Sequence, residues 1–169
     1  VQTGGPEVTL SDPFSIDPTF DSPNVAGDTE LTFQITTTDG ENTVVDTVTV
    51  TVVGENDAPD PINATTIASE DTPTSLVLAG SDPDIDQEIT SFRVDSLPSA
   101  GTLTFEGNPV EAGDEFITEQ IESGNVVFTP PSDYSGSTGI TFSVSDGEAW
   151  SAEPASQTIV VAGVADAPI

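Results

Sequence analysis

Cysteine, histidine and methionine are all absent from this 169-residue sequence, and a single basic side chain, Arg93, stands against 30 Asp or Glu. Without Cys no disulfide or thiolate site can form. Without His, zinc centres and His-based triads lose their usual ligand or base. A formal net charge of −29 repels nucleic acid and anionic membrane surfaces, and one cation cannot build a basic patch. No apolar run approaches the roughly 18 residues that span a bilayer, so direct membrane insertion is not expected. Nor is there a nucleophile–base pair or a cofactor fingerprint, and the reading is that of a non-enzyme.

What is present is Thr, Val and Ser, punctuated by 14 Gly and 14 Pro. That composition points to all-β structure. Only 34% of the residues are hydrophobic, yet Val, Ile, Leu and Phe recur in short alternating runs, which argues against disorder. Gly54-Glu55-Asn56-Asp57-Ala58-Pro59 follows a Val/Thr run and returns as Gly163-Val164-Ala165-Asp166-Ala167-Pro168. Pro removes a donor and biases its predecessor to extended geometry, so each copy reads as a stiff joint between β modules.

Residues 1–53 read as the C-terminal part of a module, 54–59 as a joint, 60–163 as a complete β-sandwich, and 164–169 as the start of the next joint. In the first module, 2–6 reads as a turn and 8–10, 18–20, 31–35 and 44–53 as strands. Leu31, Phe33 and Ile35, with Val48, Val50 and Val52, are expected on its core face. So few large side chains make a weak core. Either strands lie upstream, as a start of Val-Gln-Thr suggests, or a neighbouring chain supplies one. In the second module strands are expected at 64–67, 74–79, 89–95, 101–105, 115–117, 125–129, 139–145 and 157–162, with a helical turn at 119–123. Leu31-Thr32-Phe33-Gln34-Ile35 matches Ile140-Thr141-Phe142-Ser143-Val144 at an offset of 109, as do the two Asp-Ala-Pro joints. Asp39-Gly40-Glu41 matches Asp146-Gly147-Glu148 at 107. Repeats in register across a boundary indicate a tandem array.

The acids cluster at Glu55-Asn56-Asp57, Glu70-Asp71, Asp82-Pro83-Asp84-Ile85-Asp86 and Asp146-Gly147. Calcium takes six to eight oxygen ligands, and acids at alternate loop positions can aim several carboxylates at one point. Two bare carboxylates about 4 Å apart at a surface repel by roughly 4 kcal/mol. Solvated turn acids are the competing reading, strongest at Asp39 and Asp146, because Asp-Gly is a common hairpin pair. An EF-hand is excluded at 82–86, which lacks its spacing, Gly and terminal Glu.

Asn56-Asp57-Ala58-Pro59, Glu70-Asp71-Thr72-Pro73, Asp82-Pro83-Asp84-Ile85-Asp86, Tyr134-Ser135-Gly136 and Val144-Ser145-Asp146-Gly147 resemble bacterial cadherin-like tandem repeats of large secreted, RTX-type adhesins. The resemblance covers 54–169, and Gln2 to Asp12 resembles part of a PKD-like module. It implies tandem Ig-like (cadherin-like) β-sandwiches, the first incomplete. It also implies Ca2+ held by Asn56, Asp57, Asp82, Asp84 and Asp146, with Glu70, Asp86 and Asp166 as further candidates. Ala165 stands where the first joint has Asn, which weakens the second set. The implied role is a calcium-stiffened extender at a bacterial cell surface, partnered by adjacent modules of the same chain. Two alternatives stay open. One is a calcium-dependent glycan or peptide module, with Tyr134 or Trp150 stacking on sugar unless they fill the core or rim. The other is a filament subunit completed by a homotypic neighbour.

Overall fold

The computed structural model describes residues 1–164, which divide into two compact units. One gathers Val1–Asp57 with Pro83–Gln87; the other gathers Ala58–Asp82 with the chain from Glu88 onward. The fold class is as read from the sequence: all-β, with the character of a cadherin-like sandwich.

The first unit is a three-stranded antiparallel sheet of β1 (Gln2–Gly4), β2 (Thr29–Thr38) and β3 (Thr43–Val52), with β2 central. β2 and β3 pair without a break from Thr29↔Val52 to Thr38↔Thr43. Strand alternation therefore puts Leu31 and Phe33 on one face with Val50 and Val52. Leu31, Phe33, Val52 and Val25 form a small core, and Phe20 lies 5.4 Å from the Phe33 ring. The stretches around Val8–Leu10 and Phe20 are irregular rather than the expected strands. Pro6, Pro13, Pro18 and Pro23 remove ladder donors there. Val8, Leu10 and Phe20 still pack on the core. The loop is closed by the Ser11 amide donating to the Thr19 carbonyl at 2.8 Å. Gln2–Gly4, read as a turn, pairs with β2 instead. The expected core face also ends early. Ile35 is 52% exposed and Val48 42%, because β1 is short and the small core lies at the Leu31–Val52 end of the hairpin.

Gly54 ends β3 where the chain backbone crosses close by. A Cβ there would stand 2.3 Å from the Val25 carbonyl oxygen and 2.6 Å from the Gly27 amide nitrogen. Backbone atoms cannot swing aside as a side chain can, so Gly54→Ala is expected to destabilise the first unit by about 1–3 kcal/mol. Hydrogen exchange at Leu31 and Val50 would speed up accordingly. Unchanged protection would mean that the crossing relaxes at little cost.

The second unit has two facing sheets. Its strands are β4 (Asp60–Pro61), β5 (Ala64–Ser69), β6 (Thr74–Ser75), β7 (Gly80–Ser81), β8 (Ser91–Ser96), β9 (Thr102–Phe105), β10 (Asn108–Pro109), β11 (Glu115–Ile117), β12 (Val126–Thr129), β13 (Gly136–Ser145) and β14 (Ala155–Ala162). One sheet runs β10-β9-β12-β6 and the other β11-β8-β13-β14-β5; β4 and β7 form a small ladder. Every pair is antiparallel except β14 with β5. The expected strand at 74–79 keeps its alternation, with Leu76 and Leu78 buried and Val77 exposed, but only two residues join the ladder. The expected helical turn is α1 (Thr118–Glu122), which buries Ile121. Leu103, Val126 and Phe128 of one sheet share a core with Phe92, Val94, Ile140, Phe142, Val144 and Ile159 of the other. Phe105 and Phe116 meet across it at 5.0 Å.

Candidate functional site

Within the first unit the joint and the Asp-rich loop are tied together. The Asp57 amide donates to Asp84 Oδ2 at 2.9 Å. Asn24 Nδ2 donates to Asp57 Oδ2 at 2.9 Å and to the Pro83 carbonyl at 3.3 Å, while the Ile85 amide donates to the Asn24 carbonyl at 3.0 Å. Asn56 Nδ2 donates to the Asp57 carbonyl at 3.3 Å. Asp84 is only 3% exposed, and Asp57 is open to solvent. Asp86 takes a left-handed backbone (φ 62°), which Asp tolerates better than most residues and which turns the loop. Beside the knot is a cleft of about 370 Å³ lined in part by Asn24, Gly54, Glu55 and Asp57.

Sequence reasoning did not find Asn24. It carries no charge, belongs to no motif, and its partners lie 33 and 59 residues away. The role is set by the fold alone.

The knot gathers oxygen donors only. Neither Lys nor Arg occurs in 1–57 or 83–87, so this unit has no cationic side chain of its own. Hard oxygen donors suit calcium and not zinc, and the donor set fits in kind. Among the described residues no group of three or more His, Cys, Asp or Glu converges on one point. An ion here would complete its shell from Asn, carbonyl and water oxygens.

In the second unit the remaining candidates lie at opposite ends. β13 runs from Gly136 to Ser145, and its start pairs with Val161 near the end of β14. Asp146 follows the far end of β13, about 30 Å away at roughly 3.3 Å per residue. β5 runs parallel to β14 with Ala64 beside Gln157, so the chain enters this unit at the Asp146 end. Asp82 belongs to that end too, since Gly80 packs on Val144. Asp146 is buried, and its Oδ1 accepts the amides of Glu148 at 2.6 Å and Ala149 at 2.7 Å. Glu70 is buried at the exit end. Its amide donates to the Ala162 carbonyl at 3.0 Å, and Oε1 accepts the Val164 amide. One ion cannot use both Glu70 and Asp146. Asp166 lies outside the described residues.

The internal repeat is geometric as well as literal. Asp39 Oδ1 accepts the amides of Glu41 at 2.9 Å and Asn42 at 2.7 Å, the same two positions that Asp146 holds. Gly40 and Gly147 both take positive φ (95° and 105°), which glycine allows without strain. Asp39 sits at the hairpin end of β3, a ten-residue strand away from the joint. The Asn42 amide, then the Glu41 amide, hold the Asp39 carboxyl below its ordinary value of 3.8. A depressed folded value stabilises the turn above the unfolded value, and that contribution fades as pH falls through the folded one. The amide resonances of Glu41 and Asn42 should therefore titrate with a midpoint below 3.8. A midpoint at or above that value would contradict the assignment.

Trp150 does not enter the core. Arg93 stacks over its ring at 4.6 Å and donates Nε to Asp95 at 2.9 Å, so the single cation is already engaged. Tyr134 packs against the core and donates its hydroxyl to the Ser137 carbonyl at 3.1 Å. Among the described residues no helix is long and apolar enough to cross a membrane.

Residues 64–161, more than half of the chain, match the family model described as cadherin-like. No curated protein matches the sequence. Two solved structures are similar at the level of chain course only. An endo-fucoidan hydrolase from glycoside hydrolase family 107 is 18% identical with a TM-score of 0.44; the match covers 98% of this chain and 23% of that one. Human protocadherin-24 EC1-2 is 14% identical with a TM-score of 0.40, covering 95% of this chain and 82% of that one. This chain thus spans under a quarter of the hydrolase.

Proposed function

The chain belongs to the cadherin-like family, and from that premise we propose that it is a calcium-binding structural extender of a bacterial cell-surface adhesin. Domains of this family generally bind calcium, are often adhesion-related and are typically non-enzymatic. The proposed ligands are Asp57 and Asp84, assisted by Asn56, with Asp86 as a further donor of the same unit; Asp82 and Asp146 are candidate ligands within the second unit. Glu70 and Asp166 would serve the following joint.

The observation that carries this reading is the hydrogen bond from the Asp57 amide to the buried Asp84 carboxylate. It holds two acids of distant sequence together in a unit that has no cationic side chain of its own. Asn24 fixes the Asp57 side chain from the other side. Calcium, when bound, supplies the missing positive charge and a preference for oxygen ligands. The chain supplies the rest: Asp84 orients the joint backbone, Asn24 orients Asp57, and Pro59 is fully buried and fixes the exit of the joint. With the charge neutralised, the joint 54–59 would stiffen; without it, like charges leave it looser.

Calorimetric titration of the whole chain with calcium tests the proposal. Extracellular sites of this kind bind with dissociation constants of about 10⁻⁴–10⁻³ M. Asp84→Asn keeps a side-chain oxygen for the Asp57 amide while removing the charge, and it should weaken binding at least about tenfold. Equal affinity in the variant would remove Asp84 from the site, and no heat in the wild-type chain would reject the reading.

A further inference from the structure

β3 is an edge strand, and its outward backbone is open. Gln34 exchanges both of its backbone bonds with Val1: its amide donates to the Val1 carbonyl at 2.8 Å, and its carbonyl accepts from the Val1 nitrogen at 2.7 Å. Gln34 therefore turns away from β3. Its register partner Thr47 must turn its own N–H and C=O away from β2. Alternation gives Val45 and Thr49 the same outward direction. The only guard among the described residues is Asp46, whose Oδ1 accepts the Thr47 amide at 2.8 Å.

Folded proteins usually blunt such an edge with Lys, Pro, a bulge or a short length. β3 has ten residues, neither Lys nor Pro, and an unbroken ladder to β2. Its Val/Thr composition is strongly β-forming. Beside the edge, Val44 (65% exposed), Val48 and Ile35 continue the core face as an uncovered apolar strip. Asp46 interrupts that strip between Val44 and Val48, opposite Ile35.

We infer that β3 is a docking edge for an extended, cationic segment of a partner protein, added as a fourth strand. Charge decides the occupant. The first unit carries acids and no Lys or Arg, and a second copy of this chain would bring −29 against −29. The fitting strand places aliphatic residues beside Val44 and Val48 and a Lys or Arg beside Asp46. The basic group draws the Asp46 carboxylate off the Thr47 amide, and that amide then enters the new ladder. This inference does not depend on calcium.

The probe is a capped peptide, Thr-Val-Thr-Lys-Thr-Val-Thr-Val, titrated into the ¹⁵N-labelled whole chain at low salt, with a twin carrying Glu for Lys. The Lys peptide should shift and protect the Thr47 and Thr49 amides, and it should bind about two- to fivefold more tightly than its twin. Asp46→Lys should reverse that preference. Thr49→Pro removes an outward N–H without touching the β2 ladder, and binding should fall about fivefold or more with β2 resonances unchanged. Absence of shifts at β3, equal binding of the two peptides, or wild-type binding by Thr49→Pro with β2 intact would overturn the inference. Protection of Thr47 that rises with protein concentration alone would also overturn it and make a second copy the occupant.

Discussion

Millimolar calcium is expected to raise the melting temperature of this chain by several degrees relative to EDTA. Millimolar calcium is about one to ten times the expected dissociation constant, which adds about 0.4–1.4 kcal/mol per independent site. For a small domain, each kcal/mol moves the midpoint by roughly 4–8 °C. The Asp57→Asn/Asp84→Asn pair makes the test specific. These two acids sit in one hydrogen-bonded knot with no side-chain cation in their unit, so neutralising them should leave the calcium-free melt unchanged or slightly higher. The calcium-dependent rise should vanish in the same variant. If instead the calcium-free melt falls sharply, the acids are structural. If the rise survives, the ion is held elsewhere, with the Asp146 end and the Glu70 end of the second unit as the next places to test.

Phe142→Ala is expected to cost the second unit about 3–5 kcal/mol. Phe142 is fully buried on β13 between β8 and β14, with the Phe92 ring 6.2 Å away. Removing it loses the transfer energy of the ring and leaves a cavity that two hydrogen-bonded sheets cannot collapse to fill. Denaturant unfolding should show a lower midpoint with a similar slope. A cost under about 1 kcal/mol would mean that the sheets close over the gap. The matched position in the internal repeat, Phe33, is also buried but in a far smaller core, so its truncation bears on the first unit alone.

The all-β class, most strands of the second unit, the buried Leu31 and Phe33, and the internal repeat were legible in the sequence. Alternation and turn residues act over two to five positions, and a linear reading captures them. The same rule overran at Ile35 and Val48. Period-two patterning says which residues share a face, whereas burial requires something to cover it. It also overcalled strands at 8–10 and 18–20, where prolines leave apolar side chains packed but no ladder.

The candidate acids were legible as residues but not as neighbours. Asp57 and Asp84 meet through one backbone bond across 27 positions, and Asn24 reaches both the joint and the Asp-rich loop. Glu70 and Asp146, which read as members of one family pattern, fall at opposite ends of the same sheet. By itself the sequence determined composition, charge, strand periodicity and the Asx turns at Asp39 and Asp146, because these are local properties of the chain. Tertiary structure alone decided which carboxylates come together, which apolar face stays open and which strand is left at the edge, because those follow from strand order and register between distant segments.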